Sequence, residues 1–297
     1  MATDTCRDLP VQDIGRGDHV CLAFADDAEQ RHVLSQYLAD GLRQGERVLY
    51  FADRNAPDEV LGWLAAVGID PGPLISRGQL AVTTADDSYL ASGTFDPDAM
   101  VAVLRQEVDA SLAAGYTGFR VSGEMGWALR EVPGADRLAE YETKVNAVFA
   151  EGRSSAVCQY DARLFGPDEL HGFDRCHPSA AELRSLYQDA RLRLVPAFRS
   201  GHHALRVIGT VDHQGTATLA AALETLLGRP GDLYVDMGEL EFIDLAGVRA
   251  LAHAADRMAA GRRLHVVNLA PLMAQVVRLV GFDEIPALSV DTAEATA

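Results

Sequence analysis

The sequence predicts an α/β protein built on parallel sheets, and three observations carry that prediction. Short apolar runs of strand length alternate with longer amphipathic stretches. The two kinds of segment follow one another as strand, helix, strand along nearly the whole chain. Gly, Pro or Asp marks most of the junctions between them. With 297 residues and a prior of about 150 residues per domain, two domains are expected, each able to bury a core.

HVCLAF (His19 to Phe24) is an unbroken apolar run and reads as a strand. EQRHVLSQYLADGLRQG (Glu29 to Gly45) carries Val33, Leu34, Tyr37, Leu38 and Leu42 at helical spacing and closes on Gly45. ERVLYFAD (Glu46 to Asp53) is the next strand, and Pro57 opens a helix running to about Val67. QLAVTT (Gln79 to Thr84) is a third strand, and Asp96-Pro97 starts a helix reaching about Ala114. GFRVSGE (Gly118 to Glu124) and SAVCQYD (Ser155 to Asp161) add two strands around a helix from Ala135 to Phe149, giving five strands in this half. SAAELRSLYQDARLRLVPAF, with Leu183, Leu186, Tyr187 and Ala190 on one side, predicts a connecting helix stopped near Pro196, and Gly201-His202-His203 marks a boundary. The second half then reads as a strand at Ala204 to Asp212, a helix bearing Leu219, Ala222, Leu223, Leu226 and Leu227, and a strand at Leu233 to Met237. A helix at Leu245 to Gly261, a strand at Arg263 to Leu269, a helix at Pro271 to Phe282 and a frayed tail after Val290 complete it.

Composition narrows the function. With 43 acidic against 26 basic side chains the formal charge is −17, and the longest basic run is Arg262-Arg263, which argues against a dedicated nucleic-acid surface. Lys144 is the only lysine. At 48% apolar and 23% charged residues the chain has an ordinary globular composition. No apolar run approaches the ~20 residues of a membrane span, and the first residues lack signal-peptide character, so a cytoplasmic protein away from the membrane is expected. Cys6, Cys21, Cys158 and Cys176 contain no CxxC pair and fit reduced thiols. Abundant Ala, Gly and Arg with little Lys points to a GC-rich bacterial genome.

The run VDMGELEFIDLAGVRAL (Val235 to Leu251), continued by RRLHVVNLAPLMAQVVRLVGFDE, resembles the STAS domain of bacterial anti-sigma factor antagonists. The likeness includes Gly209 and Asp212 in an early turn, the Phe242-Ile243-Asp244-x-x-Gly247 loop and the late Leu279-x-Gly281-Phe282 turn. In that family a Ser or Thr directly after the aspartate is phosphorylated by a partner kinase, which places about −2 charge at a helix N-terminus on the partner surface. Here Leu245 stands at that position, Ala246 cannot replace it, and no Ser or Thr occurs between Thr225 and Ser289. The resemblance implies a partner face of Asp212, Asp244, Leu245, Ala246, Gly247 and Arg249, with His213 beside it, that meets an anti-sigma factor or related regulatory protein without the usual phosphoswitch. Asp244 also suits a helix N-cap.

GDHVCLAFADDAEQRHVLSQYLADGLRQGERVLYFAD (Gly17 to Asp53), GFRVSGEMGWAL and AVCQYDARLF through His177-Pro178 resemble the MEDS sensory domain of methanogens and methylotrophs, which implies a degenerate RecA/KaiC-like core. A phosphate-binding P-loop needs glycines, a lysine and a Ser/Thr, whereas the first strand-to-helix junction is Ala25-Asp26-Asp27-Ala28-Glu29. ATP hydrolysis is therefore not expected. By these assignments the carboxyl ends of the strands, the usual ligand position in open α/β sheets, carry Asp26, Asp53, Glu124, Trp127, Tyr160 and Asp161. They form a candidate small-molecule site in which Trp127 stacks on the ligand.

His19 and Cys21 share a strand face; with Cys158, Cys176 and His177 they make a Cys/His set for a metal or haem. The set has no CxxC or HxxxH spacing, so these residues are expected as core, with no metal and no cofactor. No Gly-x-Ser-x-Gly elbow occurs. The expected protein is a non-enzymatic regulator: a MEDS-like domain over residues 14–178, a helical linker over 179–203 and a STAS-like domain over 204–291. The alternatives are a homo-oligomeric scaffold with a passive sensor and a degenerate nucleotide-binding ATPase.

Overall fold

Apolar runs without alternation mark strands covered on both faces. In the computed structural model, which describes residues 7–292, four such runs become the centre of a parallel sheet. The first unit comprises β1 (Arg7–Pro10), β2 (His19–Phe24), α1 (Asp27–Arg43), β3 (Arg47–Ala52), α2 (Pro57–Ala66), α3 (Pro71–Ser76) and β4 (Leu80–Thr84). It continues through α4 (Pro97–Ala113), β5 (Phe119–Glu124), α5 (Leu138–Phe149), β6 (Ser154–Asp161), α6 (Pro167–Cys176) and β7 (Ser179–Glu182). β5 and β6 are buried at every position.

Among the described residues this sheet has seven strands in the order β1-β7-β2-β6-β5-β3-β4, and each adjacent pair is parallel. The five expected strands are its interior and one edge; β1 and β7 complete the other edge. Asp26 and Asp96 each cap a helix through backbone N–H groups, at 2.8 Å to Ala28 and 2.9 Å to Asp98. One face carries a core that includes Phe51, Phe95, Trp127, Tyr141, Phe149 and Tyr160.

The second unit begins at Leu183 with β8 (Tyr187–Gln188), β9 (Leu192–Arg199), β10 (His202–Val211), α7 (Thr216–Leu227) and β11 (Leu233–Asp236). β12 (Leu240–Ile243), α8 (Leu245–Asp256), β13 (Leu264–Leu269), α9 (Pro271–Leu279) and β14 (Leu288–Thr292) follow. Its sheet is mixed, in the order β14-β13-β11-β10-β9-β8, with β12 paired to β10. The frayed tail expected after Val290 is a strand as far as Thr292; Cys6 and residues 293–297 lie outside the described residues.

The helical linker expected over 179–203 is corrected: its segments are β7, β8 and β9, and Gly201-His202-His203 lies in and beside a hairpin rather than at a boundary. β9 and β10 are antiparallel with Arg199 opposite His202, joined by Ser200 and Gly201 at φ 51° and 77°, the two-residue turn that matches strand twist. Leu192 and Leu194 are buried on one face, a period of two that outweighs the i, i+3, i+4 pattern upstream. Pro196 pairs with Leu205 of β10, beyond the two residues that β8 contacts on the other side, so its missing N–H costs no ladder bond.

Gly209 (φ +89°) opens the stretch of β10 that pairs with β12, at a register irregularity between Gly209 and Thr210, and a Cβ there would fall 2.3 Å from the Arg191 carbonyl oxygen. Gly209→Ala is expected to destabilise the second unit by about 2 kcal/mol, measured as a lower urea midpoint with unchanged slope.

Candidate functional site

At the carboxyl end of the first sheet Glu124 closes β5, buried, and its carboxylate is engaged by the β3–α2 loop. Oε2 accepts the backbone N–H groups of Asp53, Arg54 and Asn55 at 3.1, 2.7 and 3.1 Å. Oε1 accepts Tyr50 Oη at 2.7 Å and Asn55 Nδ2 at 2.9 Å. Three successive amides converging on one anion form a nest of the kind that holds phosphate elsewhere; here the chain's own carboxylate fills it. Glu124, expected as a ligand contact, is instead the anchor of the loop.

Around it Arg54 pairs with Asp161 and Asp27 at 2.8 and 3.1 Å, and Arg163 bridges the same two carboxylates at 2.7 and 2.6 Å. Asp53 pairs with Arg130. The structure thus places Asp26, Asp53, Glu124 and Asp161 at one sheet edge. Trp127 and Tyr160 are corrected: both are fully buried. Trp127 stacks on Tyr89 at 5.3 Å, while Tyr160 stacks on Phe173 at 4.5 Å and donates its hydroxyl to Glu142 at 2.7 Å. An indole so enclosed has no face to offer a ligand. The β2–α1 junction is only Ala25 and Asp26, too short for a P-loop.

The Cys/His candidates do converge in part. His19, Cys158 and His177 lie together, joined by Glu142 of α5, all four buried; Cys21 and Cys176 are not in the group. Burial first, then the neighbouring His177, holds the His19 imidazole below its ordinary pKa, whereas burial and Glu142 push the Cys158 thiol up. Glu142 escaped the sequence reading. Its signal was a carboxylate on an apolar helix face, flanked at helical spacing by Leu138, Val145 and Phe149.

In the second unit Asp244 caps α8, its Oδ1 accepting from Gly247 N at 2.8 Å. Gly247 must be small, because a Cβ there would lie 2.7 Å from Ile243 Cγ1 and 2.9 Å from Val211 Cγ1. Leu245 in the first turn is 45% exposed and Phe242 just before it 48% exposed, so Leu245 does not pack into the core. Ala246, Arg249 and His213 line a groove between α7 and α8 floored by Ala217, Ala220 and Ala250. Asp212 is engaged in its own turn, accepting from Gln214 N at 2.9 Å and pairing with Arg191 at 2.9 Å. No helix among the described residues is long and apolar enough to cross a membrane.

No curated protein matches the chain in sequence. Among solved structures it is similar to a KaiC-like protein from the archaeon Pyrococcus horikoshii, at 14% identity and TM-score 0.43, covering 64% of this chain and 87% of that one. It is also similar to the flagellar accessory protein FlaH of Methanocaldococcus jannaschii, at 10% identity and TM-score 0.42, covering 66% and 80%. A third likeness is to an anti-sigma factor antagonist from Mycobacterium paratuberculosis, at 21% identity and TM-score 0.32, covering 35% of this chain and 90% of that one. Residues 196–289 match the family described as Mlab, STAS domain. Residues 18–178 match the methanogen/methylotroph, DcmR sensory domain, and with more than half its length in that match the chain belongs to the MEDS family, carrying a STAS domain behind it.

Proposed function

We propose that the chain is a non-enzymatic signalling regulator in which the MEDS domain governs partner binding by the STAS domain. The observation that supports this reading best is the exposed apolar step at the start of α8. Phe242 and Leu245 flank the Asp244 cap and stand beside the Ala246 and Arg249 end of the α7–α8 groove. A solvent-facing leucine at a helix N-terminus gains nothing from the helix dipole, and it suits a contact that buries it. The partner is an anti-sigma factor or a related regulatory protein. With leucine at position 245 the face is not switched by a phosphate there, so control falls to the sensor domain, which must favour one binding state through differential affinity.

The test uses the full chain and an anti-sigma factor encoded by the same genome. Leu245→Asp is expected to weaken binding about tenfold or more, about 1.4 kcal/mol per decade, by calorimetry, and wild-type complex formation should slow amide exchange at the start of α8. Equal affinity of wild type and Leu245→Asp, with no exchange protection at α8, would overturn the reading.

A further inference from the structure

His19 at the start of β2, Glu142 on α5, Cys158 in β6 and His177 just after α6 point their donor atoms at one another inside the first unit, all within 4.8 Å. We propose that this quartet is a closed tetrahedral site for one divalent ion of the zinc class. The inference goes beyond the regulatory reading and does not depend on it.

The edge lengths carry the proposal. Zinc binds imidazole nitrogen and carboxylate oxygen at about 2.0–2.2 Å and thiolate sulfur at about 2.3 Å, so the ligand-to-ligand edges of a tetrahedron are roughly 3.3–3.7 Å. The structure gives His19 Nε2 to Glu142 Oε2 at 3.2 Å, His19 Nε2 to Cys158 Sγ at 3.3 Å, Glu142 Oε2 to Cys158 Sγ at 3.5 Å and His177 Nε2 to Glu142 Oε2 at 3.5 Å. Four of the tetrahedron's edges are thus already close to their metal-bound lengths.

Both imidazoles are also held in the required tautomer. His177 Nδ1 lies 2.7 Å from the Phe173 carbonyl oxygen, which can only accept, so the proton sits on Nδ1 and the Nε2 lone pair faces the cluster. His19 Nδ1 lies 2.8 Å from Asn146 Oδ1, and that amide is oriented by donating Nδ2 to the Cys176 carbonyl at 2.8 Å. Outer partners that fix a ring in this way are the ordinary support of a metal-binding histidine. Without a cation, the Cys158 thiol donates to Glu142 Oε2 at 3.5 Å, and the Nε2 atoms of His19 and His177 face that same carboxylate oxygen at 3.2 and 3.5 Å. A central divalent ion engages all four groups, and with one thiolate and one carboxylate the buried site becomes neutral. Metal binding drives the Cys158 proton to solvent.

The donor set selects the ion. Two nitrogens, one sulfur and one oxygen in tetrahedral array suit Zn²⁺ and its spectroscopic substitute Co²⁺, whereas Ca²⁺ and Mg²⁺ require oxygen ligands in larger number. The neighbouring thiol of Cys176 is turned away, with Sγ 3.3 Å from the Gly172 carbonyl.

The experiment takes the reduced full chain, strips it with a chelator and titrates it with Co²⁺ and then Zn²⁺. Expected are tetrahedral visible bands and a near-ultraviolet thiolate-to-cobalt band, both saturating at one equivalent and displaced by zinc. Cys158→Ser should remove the thiolate band and Cys176→Ser should keep it. Asn146→Ala, which leaves the ligands in place, should lower affinity about 10–100-fold and keep the band. Either no stoichiometric uptake by folded wild-type chain or a thiolate band that survives Cys158→Ser overturns the proposal. A folded, metal-free quartet would then be a proton-bridged buried pair.

Discussion

Glu46→Ala is expected to destabilise the first unit by about 3–5 kcal/mol, enough to unfold a domain of ordinary stability at moderate urea. Arg120 is 1% exposed, donates through Nε to Glu46 Oε2 at 2.6 Å and through Nη1 to the Tyr37 carbonyl at 2.7 Å, and lies 4.6 Å from the Tyr37 ring centroid. Removing the carboxylate leaves a guanidinium in the core with its charge uncompensated. The pair is cramped as well, since a Cβ at Gly41 would fall 2.6 Å from Arg120 Cδ. Glu46→Ala combined with Arg120→Met should recover most of the loss, because an apolar residue of similar length carries no charge to strand. Urea melts of the three proteins decide the matter; a single variant as stable as wild type would show that water reaches Arg120.

Glu124→Ala should cost a comparable amount, about 3–4 kcal/mol, because it releases five donors at once and two of them, Tyr50 Oη and the Arg54 amide, make the shortest bonds. The damage should be local first, with amide exchange at Asp53, Arg54 and Asn55 accelerating before the sheet opens. Glu124→Gln should lose about half as much. Its amide nitrogen can take the Oε1 position if Asn55 flips and Tyr50 Oη turns its proton to Gln159, 3.3 Å away, while the remaining oxygen keeps the three backbone amides. If the alanine and glutamine variants melt together, the nest is not what holds the loop.

Much of this architecture was legible because the interior strands are apolar throughout and the helices between them open on Asp or Pro. What was missed was missed for physical reasons. β1 and β7 are four residues each and carry weak patterns. α6 fully buries none of its residues and leans on the core through Leu170 and Phe173 alone, too short an apolar stripe to read. The stretch over 179–203 pairs a helical spacing upstream with a strand spacing downstream, and the Ser200-Gly201 turn, visible in the sequence, outweighs the former. The sites divide in the same way. Asp244 was readable as a cap because capping is local, whereas the company that Cys158 keeps is set by pairing across the sheet and by one carboxylate on a distant helix.

The edge order β1-β7-β2 has a consequence for how the chain matures during synthesis. Among the described residues β1 pairs with β7 alone, so it has no strand partner until Ser179 to Glu182 have been made. Loop closure over so long a separation is slow compared with helix formation. A nascent chain arrested before residue 179 would therefore hold a partial sheet with an open edge. Truncations meant to isolate the MEDS domain should for the same reason extend through Glu182.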